Sequence, residues 1–131
     1  MRSGTMTINT RITPSEEEIM ELLWKEARWM TIREMMDHFE KNGKNWKRQT
    51  LNTFLVHLIE KGLVIKNERK YIYAYSKKQF QTDFACYMLD DWYEGSVKNF
   101  VSALSGSSKL TQEDASELKR YLEELSAQQE E

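Results

Sequence analysis

This chain is poor in the residues that build metal sites, disulfides and phosphate loops. It has one cysteine, one proline, five glycines and two histidines in 131 residues. A lone Cys86 excludes an internal disulfide and a cysteine metal cluster within one chain. His38 and His57 have no second histidine or paired carboxylate at ligand spacing, so no metal is expected. There is no Gly-rich phosphate loop, no nucleophile–base pairing and no His-Glu metal motif. The chain therefore reads as a non-enzyme without a cofactor. No apolar run approaches the roughly 20 residues of a membrane span, so no direct membrane insertion is expected. Met1–Met6 lacks the apolar stretch of a secretion signal. A cytoplasmic location follows as the expectation, and residues 1–11 are read as a flexible N-terminal arm or a scar.

What is present is charge, unevenly spread. The net charge is −2, but residues 1–80 hold 15 Lys/Arg against 10 Asp/Glu, and residues 81–131 hold 4 against 11. Between Lys41 and Lys78 stand ten cations and only two acids, Glu60 and Glu68. A local positive field of this kind attracts a polyanion even on an acidic chain.

The first half reads as three short helices and a hairpin. Thr13-Pro14-Ser15-Glu16 opens a helix with a capping box and a proline at its first position. Ile19, Leu22, Leu23 and Ala27 form its expected buried stripe. Thr31-Ile32-Arg33-Glu34 is a second capping box, followed by an apolar face of Ile32, Met35, Met36 and Phe39 and a stop at Asn42-Gly43. A third helix has Leu51, Leu55, Leu58 and Ile59 on one face and ends at Gly62. Leu63-Val64-Ile65 and Tyr71-Ile72-Tyr73-Ala74-Tyr75, joined by Asn67-Glu68-Arg69-Lys70, read as a hairpin. Three closely joined helices and a basic hairpin spell a winged helix-turn-helix, placed at residues 12–78.

The outward face of the third helix carries the chemistry. Gln49, Thr50, Asn52 and Thr53 offer amides and hydroxyls that suit base edges. Lys47, Arg48, His57, Arg69 and Lys70 are assigned to phosphates, which give affinity without sequence. Trp46 is assigned to packing the preceding turn, with stacking on sugar-phosphate as the alternative.

Residues 80–127 read as a helical, acidic region, a dimerisation region where its apolar side chains meet a second copy and an extension of the first lobe where they fold back onto it. Phe84, Met88 and Leu89, with Tyr87, Trp92 and Tyr93 nearby, form an aromatic-rich stripe broken at Gly95. Cys86 lies on it and is expected to be buried. Phe100, Val101 and Leu104 follow Val97 in a second segment, and Ser105-Gly106-Ser107-Ser108 is a turn. Thr111 with Asp114 caps a last helix striped by Leu118, Tyr121, Leu122 and Leu125, with fraying expected from Gln128 to Glu131. Such short helices cannot hide so many large apolar groups alone. The fold class is therefore mainly α with a small β-hairpin wing.

In four stretches the chain resembles the penicillinase-repressor family, the BlaI/MecI type with its copper-responsive CopY branch. These are Glu16-Glu-Glu-Ile-Met-Glu-Leu-Leu-Trp24, Thr31-Ile-Arg-Glu34, Thr50-Leu-Asn-Thr53 with Lys61-Gly62-Leu63, and Tyr71-Ile-Tyr-Ala-Tyr75. The resemblance implies a homodimer on a palindromic double-stranded DNA operator, with interlocked C-terminal helices. It also implies inactivation through a membrane-bound metalloprotease sensor, with cleavage at an Asn-Phe bond that corresponds here to Asn99-Phe100. Two departures stand out. Gln49 and Asn52 replace cations of well-studied members, which implies a different operator. The Cys-x-Cys pair of the CopY branch is absent, which argues against copper sensing through that site. A rival reading, from another class, is a winged-helix module whose basic face meets an acidic protein rather than DNA.

Overall fold

The computed structural model describes residues 11–129, so most of the proposed N-terminal arm (1–10) and the last two residues lie outside it. The chain forms two compact units, one up to Ala85 and one from Cys86 onward.

The first unit begins with α1 (Pro14–Glu26), β1 (Met30–Thr31), α2 (Ile32–Lys41), α3 (Arg48–Glu60), β2 (Val64–Asn67) and β3 (Lys70–Tyr73). The small antiparallel sheet has the order β1-β3-β2. This is a winged helix. Both capping boxes form as the sequence predicts. Thr13 and Glu16 exchange backbone-to-side-chain bonds of 2.9 and 3.2 Å, and Thr31 and Glu34 bonds of 3.0 and 3.1 Å. β1, only two residues long, is too short to leave a periodic signal; it pairs Met30 with Tyr71 and Thr31 with Lys70. The exit of α3 follows from Gly62, whose φ of 81° only glycine adopts cheaply. Its N–H donates to the Ile59 carbonyl at 3.0 Å and the Leu63 N–H to the Leu58 carbonyl at 2.9 Å, which satisfies the helix end.

One expectation fails here. Ala27 is not part of the buried stripe of α1 but its exposed cap, with a left-handed φ of 52° and its N–H on the Leu23 carbonyl. The chain must turn there to reach β1. Met20 takes the buried place instead, beside Ile19, Leu22 and Leu23. The core is completed by Met30, Met35, Phe39, Leu51, Leu55, Leu58, Leu63, Val64 and Tyr71. Trp46 packs the turn, its ring 4.7 Å from Phe39 and 5.3 Å from Phe54.

A single carboxylate joins the two ends of this lobe. Glu16, 1% exposed, accepts the Lys61 ammonium at 2.6 Å across 45 residues of sequence. The first turn of α1 is thereby tied to the last turn of α3. The Trp24 indole donates to the Tyr75 carbonyl at 2.8 Å and clips α1 to the chain leaving the wing.

Next comes α4 (Lys77–Tyr93), opened by a reciprocal Ser76–Gln79 cap. Its first turns belong to the winged lobe: Phe80 stands 5.3 Å from Trp24, and Lys77 pairs with Glu21 at 3.1 Å. In the second unit α4 ends in two left-handed residues, Glu94 (φ 52°) and Gly95 (φ 76°). α5 (Val97–Ser105), capped by Ser96, and α6 (Gln112–Gln129), capped by Thr111 with Asp114, follow. α6 is helical through Gln129, and the rest of the tail expected to fray lies outside the described residues. No side chain of α4, α5 or α6 is buried. Cys86 accordingly is exposed rather than buried, because the chain alone supplies no cover for that part of α4.

Burial alone would push the Glu16 carboxyl up. Hydrogen bonds from Lys61 and the Thr13 backbone, with the Lys61 charge, outweigh it and hold the group below the ordinary carboxylate range. A depressed carboxyl stabilises the fold above its unfolded value, and this is lost as pH falls through the folded one. Glu16→Gln keeps an acceptor for Thr13 but removes the charge. It should cost roughly 1–3 kcal/mol at neutral pH and flatten the loss of stability on acidification, read by denaturant unfolding across pH. A residual acid slope should persist from Glu34, which the Thr31 backbone and Arg28 also hold low.

Candidate nucleic-acid interface

The outer side of α3 and the wing together form a polar concavity. Arg48, Gln49 and Asn52 from α3 line it with Thr31, Ile32 and Arg33 from the start of α2 and Lys66, Arg69 and Tyr71 from the wing. Leu51, Leu55 and Leu58 are fully buried, and this fixes the rotation of α3 that turns Arg48, Gln49, Asn52 and Thr53 outward. Thr50 is half-buried, and the Thr53 hydroxyl donates to the Gln49 carbonyl at 3.0 Å, which leaves its lone pairs for an incoming donor.

The charges on this side are uncommitted. Among the described residues, Arg33, Lys47, Arg48, Arg69 and Lys70 make no ion pair. Elsewhere on the lobe Arg28, Lys44, Lys61 and Lys77 each hold a glutamate within 3.2 Å. Lys66 lies 5.6 Å from the centre of the Tyr71 ring, which props its ammonium beside the concavity. The start of α3 adds to the field. Lys47 occupies its cap position without a side-chain bond, and no acid stands in the first turn. The free N–H groups and positive helix end are therefore open to an anion. α1 and α2 differ, with side-chain caps and acids at their starts.

The sequence-predicted residues do not all come together. Arg48, Gln49, Asn52 and Arg69 meet in the concavity, Lys47 and Thr53 flank it on the exposed side of α3, and Lys70 stands beyond Arg69 on the wing. His57 departs from the group. It is half-exposed near the end of α3, and its Nδ1 lies 3.8 Å from Glu16 Oε2, a place facing α1. Sequence reasoning missed Arg33 and Lys66. Arg33 was hidden inside a capping box and Lys66 inside a short strand; only the fold brings them beside α3. It also missed Val56, 44% exposed one turn after Asn52.

The second unit carries the residues assigned to dimerisation, apart from Phe84. Phe84, at the end of the first unit, is 43% exposed; in the second unit Trp92 is 70%, Phe100 40%, Tyr121 55% and Leu122 51% exposed. Met88, Leu89, Val101, Leu104, Leu118 and Leu125 are partly exposed. Val101, Leu110, Ala115, Leu118 and Leu122 line an open apolar trough edged by Lys119 and Glu123. The Asn99–Phe100 bond lies in the first turn of α5. There Asn99 N–H donates to the Ser96 hydroxyl at 3.1 Å, and the Phe100 ring stands edge-on to Tyr93 at 5.3 Å. Among the described residues no helix is long and apolar enough to cross a membrane.

Comparison with known proteins agrees with this architecture. The family model described as penicillinase repressor matches residues 12–124. The penicillinase repressor of Bacillus licheniformis is 25% identical over 118 residues, covering 87% of this chain and 91% of the relative. The chain belongs to the penicillinase-repressor family of transcriptional repressors.

Proposed function

We propose that this protein is a homodimeric repressor that sets α3 of each protomer into the major groove of a twofold-symmetric operator. The observation that carries the reading is the concavity of α3 and wing, where four cations without an ion pair among the described residues, Arg33, Arg48, Lys66 and Arg69, stand around an amide pair, Gln49 and Asn52. Planar amides bond adenine bidentately, worth ~1–3 kcal/mol of discrimination per contact. Val56 suits a thymine methyl on the same face. Half-sites then lie about one helical turn apart or a multiple of it.

The second copy is supported by the exposed apolar side chains of α4 to α6. A stable interface needs at least ~1,000 Å² in total, and the trough on α5 and α6 with the exposed aromatic side chains of α4 is where a second copy would seat. Cleavage at Asn99–Phe100 by a membrane-bound sensor protease is the proposed release. That bond begins a short helix just after the left-handed Glu94-Gly95 turn, where opening a single turn frees it.

Three experiments test these parts. Binding to the promoter of its own operon, followed against salt, should separate two mutant classes. Lys47→Ala and Arg69→Ala should weaken all DNA alike and reduce the salt slope by ~1 each. Gln49→Ala and Asn52→Ala should instead relax preference at one base pair per half-site. Identical behaviour of all four on every sequence would refute the division into positioning and reading residues.

Sedimentation of Leu122→Glu or Met88→Glu should show monomers at concentrations where the parent is dimeric, with operator affinity reduced in step. A folded parental monomer at micromolar concentration would sink the dimer.

A specific protease site placed across Asn99–Phe100 should, once cut, lower operator affinity by as much as ~10²–10⁴ while the winged lobe stays folded. Unchanged affinity after complete cutting would refute this route of release.

A further inference from the structure

A second concavity, on the outer side of the wing, holds Arg69 and Lys70, already read as phosphate contacts, together with Trp29, to which no role has been given. It is formed by Trp29, Thr31, Asn67, Glu68, Arg69 and Lys70. The pairing of Thr31 with Lys70, and of Lys70 with Asn67, puts these residues in one row across the sheet. Met30 and Tyr71, one position along, point into the core and are 2% exposed. Trp29 alternates with Met30 and falls on the Thr31 side, where it is 39% exposed. The indole thus presents a flat apolar face with a polar edge beside the cations of the wing. The loop carrying it is held firmly. Arg28 pairs with Glu26 at 3.2 Å and Glu34 at 2.7 Å and donates to the Trp29 carbonyl at 3.4 Å. Arg28 is thus spent on shaping the loop, and the neighbouring cations Arg69 and Lys70 have no such partner among the described residues.

Two facts select the occupant. Thr31 and Arg69 line both this notch and the α3 concavity, so the two are one surface folded around the wing. The notch also pairs a flat apolar ring with two cations, which is the alternation of deoxyribose and phosphate along a DNA strand. We infer that Trp29 packs against a deoxyribose of the operator strand that leaves the α3 groove past the wing, while Arg69 and Lys70 hold its flanking phosphates. This rests on the operator-binding reading and adds to it a residue and a contact outside the half-site core. Glu68, at the tip with φ 55°, is the one acid in the notch and opposes the contact.

Hydroxyl-radical cleavage, which attacks exposed deoxyriboses, tests this with the full-length protein on a duplex selected from a random-sequence pool. The intact protein should protect sugars beyond the α3 half-site on the wing side. Trp29→Ala should open those flanking sugars alone and weaken binding roughly three- to tenfold. Trp29→Phe should keep most of the protection, and Glu68→Gln should strengthen it. Flanking sugars left open by the intact protein overturn the inference even if Trp29→Ala fails to fold. So does a Trp29→Ala variant with unchanged footprint and affinity, which would hand the ring to a protein partner. Either result leaves operator binding standing. Failure of the pool to yield any bound duplex would instead bring down the operator reading and this contact together.

Discussion

The presentation of α3 depends on how its two ends are held. Leu51, Leu55 and Leu58 seat the helix on the core along its length, with Phe54 and Ile59 packed beside them. The Glu16–Lys61 pair adds a polar fixed point that joins the last turn of α3 to the first turn of α1. A buried ion pair is weak evidence for stability, since its desolvation offsets much of the attraction. Its value here is geometric. Glu16 is already held by the Thr13 cap, so the ammonium meets an acceptor that cannot swing away. The opposite end of α3 is left without a side-chain cap, and this is the end that faces the polar concavity. One end is anchored by charge and the other keeps its charge free.

A related division separates two sets of cations on the lobe. Arg28, Lys44, Lys61 and Lys77 are matched by glutamates at short distance. Arg33 at the start of α2, Lys47 and Arg48 at the start of α3, and Arg69 and Lys70 on the wing are not. Neutralising the second set within the protein would be simple, since surface ion pairs cost little to make. Their isolation keeps a concentrated positive field that a phosphate backbone can complete, with release of its counterions as the gain.

Most of this fold was legible because its signals are local. Capping boxes, a proline at a helix start and glycine at a helix stop each act within a few residues, and each appears where the sequence puts it. Leu51, Leu55 and Leu58 gave the rotation of α3, and with it the outward place of Gln49 and Asn52. What was not legible depends on distant pairing. β1 exists only because β3 lies beside it. Arg33 and Lys66 join the concavity only through the wing's return, and His57 faces Glu16 because of an α1–α3 contact that no spacing encodes. Ala27 was misplaced for the opposite reason. It continues the apolar period of α1, but the backbone must turn there, and the period cannot report a left-handed residue. Cys86 was judged by its neighbours on the stripe, and a stripe shows which face is apolar without showing what covers it.

The two units solve opposite problems. The winged lobe buries its apolar side chains within one chain and leaves the charges around α3 and the wing unsatisfied. Beyond Ala85 the helices satisfy their local polar groups through the Ser96 and Thr111 caps and leave their apolar side chains unsatisfied. On the proposed reading each deficit is met by a different partner, DNA for the first and a second copy for the second. Coupling follows directly. One lobe with a handful of phosphate and base contacts binds modestly, and two linked lobes gain the effective concentration of a tethered second site. Control then needs no change in the reading surface. Whatever separates the apolar helices withdraws the gain from linkage, and each lobe, though still folded and still basic, falls back to what its own concavity can hold.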